Sequence, residues 1–175
     1  MKATGLVRRI DESGDIIIPV ELRRKYKIRE GDLVEIYVEN DGVIVFKKYS
    51  PIEKDADIAA LYVMKANKNI KSKMIVIDTE KVIAGVVKYI DKYILEEFDE
   101  IFAKKSFYCY NGDKMIVCDS ASEYVKYAMP IIVDGYAIGA VVCVADEENV
   151  TTDENSDEAM LTKLTASMLS KYYGN

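Results

Sequence analysis

The sequence predicts an α+β protein built from two unlike domains. All five Arg lie within the first 29 residues, and every later basic residue is Lys. Residues 1–50 hold ten basic and nine acidic residues, which gives a formal net charge of +1. Residues 51–175 hold 14 basic and 21 acidic residues, which gives a formal net charge of −7. Short β patterns dominate the first part, and strand patterns alternate with helical ones in the second. We therefore place a domain boundary near residue 50.

Composition excludes several classes of function. The 175 residues include no His, so the chain has no Ser-His-Asp triad, no Cys-His dyad and no His-ligated metal, and we predict neither an enzyme nor a cofactor. Cys109, Cys118 and Cys143 match no zinc-binding spacing, and we expect buried thiols, with redox sensing as the alternative. There is no apolar run of roughly 18 residues and no apolar leader segment, which predicts a cytoplasmic protein.

Five short elements are predicted in the first domain, residues 1–50. Pro19 suits the first turn of a short helix, and Asn40-Asp41-Gly42 is typical of a tight hairpin turn. The order is strand, strand, short helix, strand and strand, over residues 6–10, 15–18, 20–26, 33–38 and 43–48.

So small a domain, without a disulfide or a metal, buries little apolar surface alone. We therefore expect a second copy to pair its hairpins with the first. Arg8 and Arg9 alternate across a predicted strand, and Arg23 and Arg24 begin a basic run on the short helix. An ordinary solvated basic face is the alternative interpretation, because a run of this length is a weak signal by itself.

Four segments of the first domain carry a family pattern in register, namely residues 1–11, 14–19, 22–24 and 28–32, and residues 47–52 continue it. They resemble the AbrB-type swapped-hairpin DNA-binding domain, in which two chains interlock their hairpins into one dimeric, barrel-like unit. The resemblance implies that double-stranded DNA is a partner. It places the DNA contacts on basic residues, chiefly Arg8, Arg9, Arg23 and Arg24, with Lys2 and Lys47 as weaker candidates.

One position departs from the family pattern. Arg usually follows the glycine of the first hairpin, whereas Asp15 follows Gly14 in this sequence. A carboxylate repels phosphate, so we expect weaker DNA binding or an altered operator preference. Asp15 could also pair with a neighbouring Arg and orient it.

Residues 51–70 are predicted to form a linker helix. Ser50 can cap it, Pro51 suits its first position, and Glu53 has the spacing of a capping box. Apolar residues follow at helical spacing, namely Ile58, Leu61 and Tyr62.

The second domain, residues 71–175, is predicted to be a central antiparallel sheet with flanking helices. Strands are expected over residues 74–77, 82–87, 107–110, 115–118, 127–133 and 136–145. A helix is expected over 89–104, and another after a cap at 151–154. Because Pro130 lacks an amide donor, firm pairing of its strand is expected only over 131–133.

The last helix carries an apolar stripe, formed by Leu161, Leu164, Met168, Leu169 and Tyr172. It can serve as core packing or as an oligomer contact. In the second case, this helix and the linker helix of each chain would form a four-helix bundle across a dimer.

Residues 129–141, which turn on Asp134-Gly135, resemble the closing hairpin of GAF domains. In that comparison Gly139 would let a helix pack closely. The resemblance implies a GAF-like domain, and a sporulation regulator with an AbrB-type first domain carries one in this place. GAF domains commonly bind small molecules, and the candidate pocket residues are Tyr108, Tyr110, Tyr127 and Tyr136, with plain packing as the alternative.

Together these patterns predict a DNA-binding transcriptional regulator of sporulation or developmental genes that forms a dimer or a tetramer and has no membrane partner. The GAF-like domain would sense a small molecule, mediate oligomerisation, or do both. The alternative is an antitoxin-like or other protein-interaction module, because swapped-hairpin domains also serve as antitoxins. The long second domain disfavours it, since antitoxins usually end in a short disordered tail.

Overall fold

The computed structural model describes residues 4–146, 150 and 152–174. The chain divides into two compact units, Met1–Lys48 and Tyr49–Asn175. Among the described residues, no helix combines the length and the apolar character that crossing a membrane requires.

The first unit contains one short helix and one hairpin. Helix α1 spans Val20–Lys25 and begins directly after Pro19. Strands β1 (Val34–Val38) and β2 (Ile44–Lys48) pair antiparallel. Gly42 closes their turn with a φ of 73°, a conformation that glycine adopts without steric cost. The predictions of this helix and this hairpin are confirmed.

The two strands predicted before α1 form no ladder in the single chain. The turn between them is ordered by Asp11, whose Oδ1 accepts hydrogen bonds from the amides of Ser13 (2.9 Å) and Asp15 (2.8 Å). Residues 6–10 and 15–18 have no regular secondary structure. The prediction of strands there is wrong for one chain, because a strand needs a hydrogen-bonded neighbour and the described residues supply none.

Helices α2 (Pro51–Lys54) and α3 (Ala56–Ala66) open the second unit. The Ser50 hydroxyl accepts a hydrogen bond from the Glu53 amide at 3.1 Å, as the capping pattern predicted. Their inward side chains pack in the core of this unit, led by Ile52, Ala59 and Val63. The segment between the DNA-binding pattern and the sheet is therefore fixed to the second unit.

A five-stranded antiparallel sheet forms the centre of the second unit. Its strands are β3 (Lys73–Asp78), β4 (Val82–Ala84), β5 (Tyr108–Cys109), β6 (Tyr124–Val133) and β7 (Tyr136–Ala145). They lie in the order β4-β3-β7-β6-β5. The long strands are therefore central, and the two shortest form the edges, which limits edge-to-edge pairing with other chains.

Helices cover both faces of this sheet. Met74 and Val76 of β3 face α2, α3 and the last helix, α5 (Asp157–Tyr173). The alternate residues Ile75 and Ile77 face α4 (Phe98–Lys104) on the other side. Side chains alternate along a strand, so one strand supplies both cores.

The helix predicted over 89–104 is confirmed only for residues 98–104. Before it come a 3-10 turn over 87–89 and a loop. In that loop the Ile94 amide donates to the Glu80 carbonyl at 2.9 Å, and the amide of Val82 donates to the Lys92 carbonyl at 3.0 Å. These bonds along the edge of the sheet replace helical ones, so the helical spacing of the apolar residues there was misleading.

The hairpin of β6 and β7 turns on Asp134-Gly135 as predicted, but β6 begins at Tyr124 and pairs through Pro130. The expectation of firm pairing only over 131–133 is therefore wrong. Strand β5 pairs with β6 only at Tyr127 and Ala128, so Pro130 lies where the outer side of β6 has no strand partner. A proline is tolerated at such an edge position.

Three further strands are shorter than predicted, among them β5, which spans Tyr108–Cys109 of the expected 107–110. β4 ends at Ala84, before Gly85 with its φ of 117°. The segment 115–118 contributes only an isolated bridge between Ile116 and Tyr124.

Helix α5 is capped by Ser156, whose Oγ accepts a hydrogen bond from the Ala159 amide at 3.3 Å. The cap expected at 151–154 is wrong, and Thr151 lies outside the described residues. The predicted apolar stripe divides in two. Leu161 and Leu169 pack in the core, whereas Leu164, Met168 and Tyr172 are 55%, 43% and 42% exposed.

Candidate nucleic-acid interface

Helix α1 presents the paired arginines to solvent. It has no buried residue, and Arg23, Arg24 and Lys25 occupy its last turn with exposed side chains. The Ile28 amide donates to the Arg23 carbonyl at 2.8 Å, which closes the C-terminal end. Basic residues suit this end because it carries the negative pole of the helix dipole.

Arg8 and Arg9 are also exposed, on the segment that precedes the first turn. The Arg8 Nη1 donates to the Val7 carbonyl at 2.8 Å. The two arginine pairs thus come from separate segments of one small unit.

Lys47 is exposed on β2, opposite Glu35 of β1, and Lys2 lies outside the described residues. The neighbouring Lys48 points to the other side of the strand. Its Nζ lies 3.0 Å from the Asp32 carboxylate and donates to the Lys27 carbonyl at 3.2 Å. Lys48 therefore ties the end of β2 to the segment 27–32, whereas Lys47 remains open to solvent.

Within the described residues, Arg9, Arg23, Arg24 and Lys47 make no ion pair. An exposed guanidinium group without a carboxylate partner can donate two parallel hydrogen bonds to one phosphate. Phosphate contacts fix the position of a protein on the duplex, and base contacts add sequence specificity. The arrangement is chemically suited to holding a DNA backbone.

Lys25 belongs with these residues, although the sequence reasoning did not select it. It follows Arg24 in the same exposed turn, with its Nζ 5.2 Å from the centroid of the Tyr26 ring. The basic run over residues 23–27 was the signal that could have identified it.

Asp15 is exposed, and its main chain is tied to Asp11, whose amide donates to the Asp15 carbonyl at 3.1 Å. Its carboxylate makes no ion pair in the part of the chain that the structure describes. The expectation that Asp15 pairs with an Arg thus finds no support within one chain.

Asp15→Arg is expected to tighten DNA binding, because it removes a repulsive charge and adds a phosphate donor. One new phosphate contact in each of two copies steepens the dependence of log affinity on log salt by about 1.8. A gel-shift titration at several salt concentrations measures this change. Asp41→Arg, which makes the same charge change at the other turn of the unit, should have a smaller effect. Unchanged or weaker affinity of Asp15→Arg would contradict the assignment.

The first unit leaves an unusual share of its apolar side chains in solvent. Val7, Ile17 and Val38 are 83%, 75% and 73% exposed, and Pro19 is the one fully buried residue among those described in this unit. Apolar surface of this extent on one small unit is typical of an interface with another chain. Further exposed members are Leu6, Ile10, Ile16, Leu33, Ile36, Ile44 and Phe46.

The four tyrosines predicted to line a pocket have different surroundings. Tyr127 is fully buried, and its hydroxyl donates to the Asp153 carbonyl at 2.9 Å. The Tyr110 hydroxyl donates to the Gly112 carbonyl at 3.3 Å, and Tyr136 is 42% exposed. Tyr108 lines a cavity.

That cavity, of about 730 Å³, lies between α4 and the segment 106–115. Burial raises the pKa of the Tyr108 hydroxyl, and the nearby Asp113 carboxylate raises it further. The lining carries a net negative charge, because it includes four acidic residues and two basic ones. These are Glu97, Glu100, Asp113 and Glu154, and Lys104 and Lys114.

Two of the three cysteines are buried, as predicted. Cys118 and Cys143 are buried, whereas Cys109 is only half-buried. Burial raises the pKa of the Cys143 thiol to about 12, which keeps it protonated and unreactive. No cluster of His, Cys, Asp or Glu suited to a metal ion occurs among the described residues.

Comparison with known proteins finds two matching family models. One, described as "Stage V sporulation protein T C-terminal, transcription factor", matches residues 56–173. The other, described as "Antidote-toxin recognition MazE, bacterial antitoxin", matches residues 7–54.

Individual relatives follow the same division. Stage V sporulation protein T of Bacillus subtilis (strain 168) is 36% identical over 157 residues, which cover 86% of this chain and 88% of that protein. Transition state regulatory protein AbrB of the same organism is 53% identical over 51 residues, which cover 29% of this chain and 52% of that protein. A solution structure of the N-terminal DNA recognition domain of AbrB is 53% identical, covers 29% of this chain and 94% of its own, and has a TM-score of 0.25.

Proposed function

This chain belongs to the stage V sporulation protein T family of transcription factors, and we propose that it regulates sporulation genes by holding duplex DNA with the arginines of its first unit. It is a DNA-binding transcription regulator. The observation that carries the assignment to particular residues is the exposed Arg23–Arg24 pair on α1, which has no carboxylate partner among the described residues. A DNA-binding titration over a range of salt concentrations tests it through the Arg23 and Arg24 variants.

Charge decides which part of the molecule approaches DNA. The first fifty residues carry a balance of +1 with all five Arg, and the rest carries −7. A phosphate backbone attracts the former and repels the latter. We therefore place the DNA contacts on Arg8, Arg9, Arg23 and Arg24, with Lys2, Lys25 and Lys47 at the margin.

Two copies of the first unit form the DNA-binding assembly in this proposal. Its exposed apolar side chains, among them Ile17, Ile36 and Val38, need a covering surface. The unpaired segments 6–10 and 15–18 need strand neighbours. A second copy supplies both and doubles the number of arginines.

Toxin recognition is the alternative function, favoured by the antitoxin model that matches residues 7–54. The match of residues 56–173 to a transcription-factor model favours regulation instead. A protein that recognises only a toxin would show no salt-sensitive affinity for duplex DNA.

We propose that the second unit adds a further self-association surface. Met160, Leu164, Met168 and Tyr172 follow one another at four-residue intervals on α5 and are 42% to 60% exposed. Leu61 and Met64 of α3 are exposed as well, at 46% and 51%. Two amphipathic helices with exposed apolar faces suit a four-helix bundle that joins two such dimers into a tetramer.

Leu164→Glu/Met168→Glu is expected to halve the mass of the assembly in light scattering, because carboxylates cannot be buried in an apolar bundle without a partner. The fold should persist, since Leu169 on the inner face of α5 stays in the core. Ala103→Glu/Ser106→Glu, which adds the same charge at exposed positions at and after the end of α4, is the control. An unchanged mass of the α5 variant would remove this surface from the assembly.

We propose in addition that the cavity beside Tyr108 takes a small cationic molecule, because its lining is acidic on balance. Spermidine and free arginine are suitable probes. They should raise the melting temperature of the wild-type protein more than that of Tyr108→Ala. Equal shifts in both proteins would place any binding elsewhere.

A further inference from the structure

Helix α1, which carries Arg23 and Arg24, has little packing of its own to hold it in place. It spans six residues, and none of them is buried. A helix this short does not form stably by itself in water. Its orientation therefore depends on contacts at its two ends, which are the buried Pro19 before it and the segment that follows Lys25.

The C-terminal end of α1 is closed through the main chain of the two arginines. The Ile28 amide donates to the Arg23 carbonyl at 2.8 Å, and the Lys27 amide donates to the Arg24 carbonyl at 3.3 Å. These two bonds define a Schellman cap, in which one residue has a left-handed conformation and is usually glycine. Lys27 occupies that position with a φ of 48°. A side chain makes this conformation costly, so the cap depends on further contacts.

Lys48, at the end of β2, supplies such a contact. Its Nζ donates to the Lys27 carbonyl at 3.2 Å and lies 3.0 Å from the Asp32 carboxylate. The Asp32 Oδ2 in turn accepts the Arg29 amide at 2.7 Å. The side chains of Lys48 and Asp32 are only 16% and 6% exposed, so salt screens this ion pair weakly. The end of the arginine-bearing helix is therefore fastened to the hairpin of the same unit.

We propose that Lys48 and Asp32 are positioning residues for DNA binding, which hold the end of α1 so that Arg23 and Arg24 are ordered before they meet the duplex. Affinity is lost whenever binding has to order groups that were mobile beforehand. Lys48 itself does not contact phosphate in this proposal, although it is basic. The inference rests on the proposed function and deepens it, since it concerns the same arginines.

The test is a DNA titration of the full chain over a range of salt concentrations with Asp32→Asn/Lys48→Met, which removes both charges and leaves the net charge unaltered. We expect affinity about tenfold weaker at every salt concentration, because each of two copies has to order the end of α1 on the duplex. The slope of log affinity against log salt should stay that of the wild type. A Lys48 that contacted phosphate in both copies would instead lower the slope by about 1.8.

Asp32→Asn alone separates the two roles by the direction of its effect. It makes the chain more positive and removes a carboxylate that competes for the Lys48 ammonium group, so a phosphate-binding Lys48 would make this variant bind DNA more tightly. A positioning Lys48 loses its carboxylate partner, and we then expect affinity about threefold weaker. This single variant retains the test if the double variant does not fold. Lys48→Arg, which keeps the charge and the donors, should keep wild-type affinity.

Hydrogen exchange distinguishes a loosened helix end from a general loss of structure. The Ile28 amide should exchange faster in the double variant than in the wild type. The Glu39 amide, which donates to the Val43 carbonyl at 2.9 Å across the turn of the hairpin, should keep its rate. Glu53→Gln/Lys81→Met, which neutralises an ion pair of 2.8 Å in the second unit, is the matched control and should bind DNA as the wild type does.

Three results would each overturn the positioning role. They are affinity of the double variant within about twofold of the wild type, a reduced slope in that variant, and tighter binding of Asp32→Asn. An unchanged exchange rate of the Ile28 amide would overturn it as well. Full affinity of Arg23→Ala/Arg24→Ala would instead overturn the proposed function.

Discussion

Arg23→Ala/Arg24→Ala is expected to weaken DNA binding about a thousandfold. Two copies of the chain lose four guanidinium–phosphate contacts together, and at about 1 kcal/mol for each contact the total approaches 4 kcal/mol. The slope of log affinity against log salt should fall by about 3.6, because four fewer counterions are released. An anisotropy titration with labelled duplex at several salt concentrations measures both quantities.

Matched variants make this result specific. Arg23→Lys/Arg24→Lys keeps the positive charges and loses only the planar guanidinium groups. Its DNA affinity should therefore lie between that of the wild type and that of the alanine variant. Lys92→Ala/Lys104→Ala removes two exposed charges from the acidic second unit and should leave the salt slope unchanged. Affinity of the alanine variant within threefold of wild type would show that α1 does not contact DNA.

Gly139→Ala is expected to destabilise the second unit by about 3 kcal/mol, near the upper end of what overpacking costs. Gly139 lies in β7, between β3 and β6. An added Cβ would lie 2.2 Å from the carbonyl oxygen of Ile77 and 3.0 Å from the Cα of Asp78. Neither main-chain atom can move without breaking the ladder, so the melting temperature should fall by roughly 10 °C for a unit of this size.

A second substitution identifies the cause of that loss. Ile52→Ala removes the side-chain contact near Gly139 but leaves the Ile77 carbonyl in place. Adding Ile52→Ala to Gly139→Ala should therefore give no recovery in a thermal melt followed by circular dichroism. A melting temperature of Gly139→Ala within 2 °C of the wild type would show that the strands separate at little cost.

Local signals predicted their elements well. The Ser50-Pro51 start of α2, the helix after Pro19 and the turns at Gly42 and Asp134-Gly135 are all present. Each depends on backbone preferences or hydrogen bonds within a few residues, which the sequence specifies directly. The resemblance carried by residues 1–11, 14–19, 22–24 and 28–32 likewise indicated the DNA-binding family without any coordinates.

Periodicity failed where a distant partner competed for the backbone. Residues 90–95 have helical spacing, but Ile94 donates to Glu80 along the sheet edge. The stripe on α5 looked uniform, yet the sheet covers Leu169 and leaves Leu164 exposed. The spacing of apolar residues indicates that one face of a helix is apolar, but only the packing of the folded chain determines which part of that face is covered.

The sequence by itself determined the tight turns and the cap of α2, and which end of the molecule carries charges suited to DNA. Only the tertiary structure placed the contacts between distant segments. Glu123, 3% exposed, accepts hydrogen bonds from Tyr89, Lys73 and Lys88, which stand 34 to 50 residues away. Lys81 meets Glu53 across 28 residues. The physical reason is that local preferences act over a few residues, whereas burial and charge pairing depend on which surfaces the folded chain brings together.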